Sequence, residues 1–302
     1  MFTSSDGRLH PIWAFVLSAL LSVVAFLVAG YSASAIAGDH VLRFETVFRP
    51  VLAVLLLAIF SWLLTVGNHV EDHRIAAQGL PLSAGWARQF SLGCGIGFLL
   101  VLVAVLPVVI WGSVSLRTSF SLYNLARAAI LLGVLASGSL AEELMFRGYP
   151  FQRLVEATGP AGAIVVFSIL FGVVHLSNPG ASVWGLTVTI AIGVLLSVTY
   201  LRTRALWLPW GIHFAWNTVL GLMLGLPVSG LRLFNVAVHA TVRGPKWLTG
   251  GGYGIEASAP GALAVVAGLI LVWKLPLNRL ANPAVMSQSE NQDEPLLPDV
   301  TN

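Results

Sequence analysis

Eight stretches of the chain, near residues 12–36, 47–67, 90–112, 124–147, 161–177, 182–201, 205–226 and 259–275, are apolar almost throughout. About 20 such residues let a helix cross a hydrocarbon layer about 30 Å thick. A backbone inside lipid must satisfy its own hydrogen bonds, so stretches of this kind fold as helices. The chain therefore reads as all-α, a polytopic membrane helical bundle of about eight transmembrane helices. Composition agrees: 57% of the 302 residues are hydrophobic and 10% charged, where a soluble domain carries roughly 25% charged residues. A multi-pass integral membrane protein follows, in the plasma (inner) membrane if the source is bacterial.

The segments divide the chain into four parts. Residues 1–120 hold about three transmembrane helices with their loops, 121–226 a helical core, 227–283 a Gly-rich loop and the last transmembrane helix, and 284–302 a polar tail expected to be disordered. The first apolar run is followed by the cleavage-like SASAIAG, but it exceeds the roughly 7–15 residues of a signal-peptide core and reads as a retained anchor. Cys94, the single cysteine, excludes a disulfide framework and reads as a small packed side chain. The net charge of +3 comes from cations scattered in ones and twos, with no patch for nucleic acid. With the N-terminus inside, Arg8, Arg74, Arg88, Arg153, Arg202, Arg204, Lys274 and Arg279 fall on the inner side, against Arg43, Arg49, Arg117, Arg232, Arg243 and Lys246 outside. That difference favours both ends inside.

Two polar stretches merit a test. In NHVEDH, His69 and His73 stand four apart with Glu71 and Asp72 between them, a spacing that could place two metal ligands on one helical face. A solvated connection between spans accounts for the same residues. TGGGYG, residues 249–254, has no following Gly-Lys-Ser/Thr and reads as flexible loop rather than a phosphate cradle.

The informative residues are those that do not belong in oil. Glu142 and Glu143 are the only two of the thirteen acidic residues inside a predicted span. An intramembrane charge costs about 2.5–3.5 kcal/mol on the most lenient scale, so such residues default to function. Glu143 and Arg147 are four apart and can pair on one helical face. Glu142 projects about 100° around the helix from them and has no such local partner, as suits a general base. Phe171 and His175 share the same spacing, as do His213 and Asn217.

Helix geometry puts these groups at one depth. If the glutamate helix continues past Pro150 and turns at Thr158–Pro160, Glu142 and His175 each lie about 25 Å along their helices from the turn. His213 lies about 14 Å past Arg204 and Glu142 about 16 Å from Arg153, again level. The alternative is that each residue is a separate interhelical hydrogen-bonding group.

Glu142-Glu143-x-x-x-Arg147, Phe171-x-x-x-His175 and His213-x-x-x-Asn217 resemble, in order and spacing, the motifs of the CPBP family. These are the CAAX-processing and bacteriocin-processing intramembrane endopeptidases, also called the Abi family. The likeness covers about residues 120–220, and the earlier AAQGLPLSAGWARQFSLGCGIG is similar to the family's connection into its next span. The resemblance implies peptide-bond hydrolysis without a cofactor. Glu142 would activate water with help from His175, while His213 and Asn217 stabilise the oxyanion. Glu143, Arg147 and Phe171 would support them. A peptide or membrane-associated protein, lipidated in some members, would be the substrate, with membrane lipids as surroundings.

Other readings remain at this point. Glu142, His175 and His213 are acceptable zinc ligands, so a metalloprotease using the same residues is one alternative. A proton-coupled transporter is another, since intramembrane acids mark proton paths and Pro150 and LPWG permit broken helices. A non-catalytic immunity protein of the same fold is a third. The motifs His-Glu-x-x-His, Gly-x-Gly-Asp and Gly-x-Ser-Gly are absent, which argues against the common zinc, aspartate and serine sites.

Overall fold

The computed structural model describes residues 9–68, 78–82, 85–111, 113–232, 234 and 236–277. The NHVEDH residues His69, Glu71, Asp72 and His73 and the tail at 284–302 lie outside them. Each of the eight apolar stretches falls on helix. In chain order these are α1 (Pro11–Ala37), α2 (Val41–Asn68), α3 (Trp86–Trp111), α4 (Leu122–Arg147), α5 (Tyr149–Val173), α6 (Val183–Thr203) and α7 (Trp207–Asn217). A π-helical turn, Thr218–Met223, prolongs α7; a short α8 (Lys246–Thr249) and α9 (Ala259–Lys274) follow. Among the described residues, five helical stretches are long and apolar enough to cross a membrane, with α4 and α5 together forming one of them, and α9 is a shorter apolar helix. The protein is a multi-pass integral membrane protein built as an all-α bundle.

Helix starts follow local chemistry. Ser121, Ser182 and Ser258 each accept a hydrogen bond from a backbone N–H in the first turn of α4, α6 and α9. Such caps contribute about 1 kcal/mol each. Pro11 and Pro260 occupy the first turns of α1 and α9, where a missing N–H costs nothing. The expected turn after the glutamate helix is present. Gly159 takes φ 76° and ψ 169°, outside the helical region, and Pro160 follows, so the chain reverses there and α5 brings its far end back beside α4.

Lateral packing uses small residues. The buried side of α1 is Ala14, Ser18, Ser22, Ala25, Ala29 and Ala33, whereas Leu20, Leu27 and Tyr31 are exposed where lipid would cover them. The closest contact joins α3 to α7. A Cβ added at Gly93 would stand 2.3 Å from the Leu208 carbonyl oxygen, and one at Gly211 would stand 2.3 Å from that of Phe90. Only hydrogen side chains allow these backbones to meet, the usual device for helix association in lipid.

Two differences from the sequence reading stand out. Residues 113–118 and 238–243, read as loop, form an antiparallel ribbon, β1 (Ser113–Thr118) with β2 (Val238–Arg243), registered Ser113 to Arg243 through Thr118 to Val238. Ser113, Ser115 and Arg117 alternate with Val114 and Leu116 along β1, a half-apolar pattern suited to a strand outside the helical layer. Second, α2 begins at Val41, six residues before the expected start near 47, so Glu45 and Arg49 sit inside a spanning helix. Glu142 and Glu143 are thus not the only acids in a span. Two apolar cores result, one among α3, α6, α7 and α9, the other among α1, α2, α5 and the C-terminal half of α4. The conspicuous polar residues lie where they meet.

Candidate active site

α4 supplies the charged pair. Glu143 and Arg147 are both completely buried, with Arg147 Nη1 3.3 Å from Glu143 Oε1. Arg147 Nη2 donates to the Gly193 carbonyl on α6 at 3.1 Å, and the guanidinium lies over the Phe171 ring, 4.6 Å from its centroid. The expected i,i+4 pair therefore exists, and it also ties α4 to α5 and α6.

α7 brings His213 between the two glutamates. Its Nδ1 is 2.8 Å from Glu143 Oε1 and its Nε2 3.6 Å from Glu142 Oε2. A carboxylate can only accept, so Nδ1 carries a proton. His175 lies just past the end of α5, yet it keeps the one-turn relation to Phe171: its Nδ1 is 2.6 Å from the Phe171 carbonyl oxygen and the two rings are 4.8 Å apart. The proton is again on Nδ1, which leaves Nε2 of a neutral ring as an acceptor. Phe171 also packs edge-on against His213, at 6.1 Å, and Phe146, at 5.2 Å. One aromatic side chain thus separates and aligns both imidazoles and the buried arginine.

Glu142, His175, His213 and Asn217 all line one cavity of about 610 Å³. Glu142 keeps 27% of its side-chain surface exposed, while its Oε2 is buried without a hydrogen bond, 3.6 Å from His213 Nε2. Asn217 is the last residue of α7, at the switch into the π-helical turn, a distortion common at functional sites. The glutamate helix ends at Arg147, with a break at Gly148, rather than continuing past Pro150 as expected from the sequence, and the fold still brings these residues to one cavity.

Spacing gives Glu142 no local partner, but a charged one stands on another helix. Arg49 Nη1 on α2 stands 3.6 Å from Glu142 Oε1, and Arg49 Nε also contacts Glu45 Oε2 at 2.5 Å. α2 and α4 are far apart in sequence, so helical spacing could not reveal this pair. Arg49, assigned to an outer loop by its place near the predicted end of a span, is a cavity residue. Sequence reading also missed Glu256, a buried acid in a 3₁₀ turn (Ile255–Ala257) that lines the same cavity. Burial pushes its carboxyl above the ordinary range, against hydrogen bonds from Ser229 and Trp216 that pull it down.

Among the described residues no three His, Cys, Asp or Glu side chains, Glu142, His175 and His213 included, form a group that could hold a metal ion.

Residues 124–219, which hold the whole ordered trio, match the family described as Type II CAAX prenyl endopeptidase Rce1-like. A curated relative from Bacillus subtilis (strain 168), named "Putative membrane peptidase YdiL", is 30% identical over 110 residues, covering 36% of this chain. The matched region spans 43% of that relative's own length. No solved structure matches the chain. The family model covers the segment whose helices carry Glu142, Glu143, Arg147, Phe171, His175, His213 and Asn217, and in that segment the chain is similar to the CAAX-processing endopeptidases.

Proposed function

We propose that the protein is an intramembrane endopeptidase that hydrolyses a peptide bond with water activated by Glu142. The observation that carries the reading is the convergence of four polar side chains from three helical segments on one cavity, with Glu142 Oε2 left without a hydrogen bond. Hydrolysis needs a base for water and donors for the oxyanion, both held in place before the reaction begins. Glu142 takes the proton as the water oxygen attacks the carbonyl carbon, and His175 Nε2 orients that water. His213 acts as the imidazolium, protonated on both ring nitrogens, so that its Nε2–H and the Asn217 amide donate to the oxyanion. As the C–N bond breaks, Glu142 returns the proton to the leaving amine, so the carboxylate is restored.

Glu143 acts on His213 rather than on substrate. Its carboxylate holds Nδ1 protonated, which aims Nε2 at the cavity. Arg147 in turn keeps Glu143 charged and fixed. The substrate is a peptide or membrane-associated protein reaching the cavity from lipid, since Phe26, Phe44 and Phe48 of α1 and α2 line its apolar side. No step is routed through a metal ion.

The test is comparative membrane proteomics of cells carrying the wild-type protein or Glu142→Gln. Peptides cut only with the wild type, and reproduced by the purified protein in proteoliposomes, support the reading. Identical peptide profiles, with the purified wild type unable to cut internally quenched peptides in liposomes, would sink it.

A further inference from the structure

The Gly-rich loop after β2 does not behave as slack. Gly250, Gly251 and Gly254 adopt φ of 74°, 62° and 101°, and a Cβ at Gly250 would stand only 1.7 Å from the Gly254 carbonyl oxygen. Any larger residue there would be strained or would clash. The loop is wound tightly enough to carry Glu256 inward, where the residue is only 4% exposed. Among the described residues no Lys or Arg forms an ion pair with it; its partners are hydrogen-bond donors from two other segments.

On one side, Glu256 Oε1 accepts from Trp216 Nε1 at 3.0 Å. Trp216 directly precedes Asn217 on α7. On the other side, Glu256 Oε2 accepts from the backbone N–H of Ser229. Ser229, at φ 46°, and Gly230, at φ 84°, are the two central residues of a turn closed by the Val228–Leu231 bridge. A serine in left-handed backbone is uncommon and persists where its surroundings impose it. The Ser229 carbonyl accepts from Asn178 Nδ2 at 2.9 Å, and the Asn178 N–H donates to the His175 carbonyl at 3.1 Å. An unbroken line of bonds thus runs from the Asn217 helix through Glu256 and the Ser229 turn to the His175 segment.

We infer that Glu256 is the positioning residue that holds His175 and Asn217 in register across the cavity. The inference rests on reading those two residues as part of the reaction site. The carboxyl chemistry is specific: two acceptor oxygens face two donors, whereas a glutamine would present an NH₂ group to one of them. Burying an acid is expensive compared with burying an apolar residue of similar size, and geometric specification is the best-attested return for that cost. His175 follows the last turn of α5 in a short irregular segment, so it needs an external anchor more than a residue within a helix does.

The experiment is hydrogen exchange by mass spectrometry on the full-length protein in nanodiscs, comparing wild type with Glu256→Gln. Amides in 174–182 and 226–232 should exchange at least tenfold faster, while α1 and α2 exchange as before and the unfolding temperature holds. In parallel, cleavage of an internally quenched peptide that the wild type cuts should lose about ten- to a hundredfold in kcat, with KM within about threefold. Trp216→Phe, which keeps the carboxyl and removes one donor, should loosen 213–223 without loosening 226–232. It also serves if Glu256→Gln fails to fold, and unchanged exchange over 213–223 would then count against the inference. Unchanged exchange in both segments overturns the assignment, and so does faster exchange throughout the molecule, which would make Glu256 only a stabilising group. If the wild type cuts no peptide, the proposed peptidase activity fails, while the exchange result still decides whether Glu256 couples the two segments.

Discussion

Arg49 on α2 reaches Glu142 on α4 across a notch formed by Gly138, one helical turn before the glutamate. The charged atoms are 3.6 Å apart, and a Cβ at Gly138 would stand 2.4 Å from Arg49 Nη1. The guanidinium can lie against the α4 backbone only because that residue has no side chain. Gly138→Val should therefore imitate Arg49→Gln. Each is expected to lower kcat about tenfold, equivalent to about 1.4 kcal/mol of barrier, with KM little changed. Steady-state kinetics on one quenched peptide checks both, and full activity in Gly138→Val would remove Arg49 from the reaction.

Glu142→Gln and His175→Ala should each reduce cleavage by about 10²- to 10⁴-fold, the usual contribution of a positioned acid–base group. Neither side chain is fully buried, and a glutamine at 142 can still accept from Arg49, so thermal unfolding in detergent should stay near wild type. Inactivity accompanied by a collapse of the unfolding transition would instead identify these residues as interhelical packing groups.

Arg147→Ala should destabilise as well as inactivate. It leaves Glu143 buried opposite His213 without its guanidinium and frees the Gly193 carbonyl. Removing one member of a buried pair costs about 3–5 kcal/mol. The double variant Glu143→Gln/Arg147→Met should recover much of that stability while remaining inactive, because His213 loses the carboxylate that fixes its proton. Differential scanning fluorimetry beside the peptide assay separates the two effects.

Gly93→Ala and Gly211→Ala should weaken the fold without touching the cavity. Each forces a methyl group into a carbonyl 2.3 Å away on the facing helix, and overpacking of this kind costs about 1–3 kcal/mol. Since α7 carries His213 and Asn217, activity should fall in step with any displacement of that helix. A control at Gly95, where a Cβ meets nothing within 4 Å, should be silent in both measurements.

Metal analysis addresses the zinc alternative directly. Purified, active protein should contain far less than one equivalent of zinc, and dialysis against a chelator should leave the peptide-cleavage rate unchanged. Stoichiometric zinc whose removal abolishes activity, and whose return restores it, would replace the metal-free scheme.

The parts legible in the sequence were those governed by one helix at a time. Apolar length determined the spans, because a bilayer has a set thickness. Spacing of four determined that Glu143 faces Arg147, that Phe171 faces His175 and that His213 and Asn217 share a side, because an α-helix repeats every 3.6 residues. Helix rise set Glu142 and His175 at similar distances from the turn at Gly159 and Pro160 but did not show the break at Gly148. Arg49 and Glu256 were not legible in this way. Arg49 resembled an interfacial charge at the end of a span, and Glu256 sat in a Gly-rich stretch whose composition signals a loop without saying where it goes. Their roles depend on which helices touch and at what rotation. In lipid that choice is made by close backbone contacts at residues such as Gly93 and Gly211, by side chains laid against a bare backbone as Arg49 is at Gly138, and by hydrogen bonds between distant segments, none of which hydropathy or periodicity encodes.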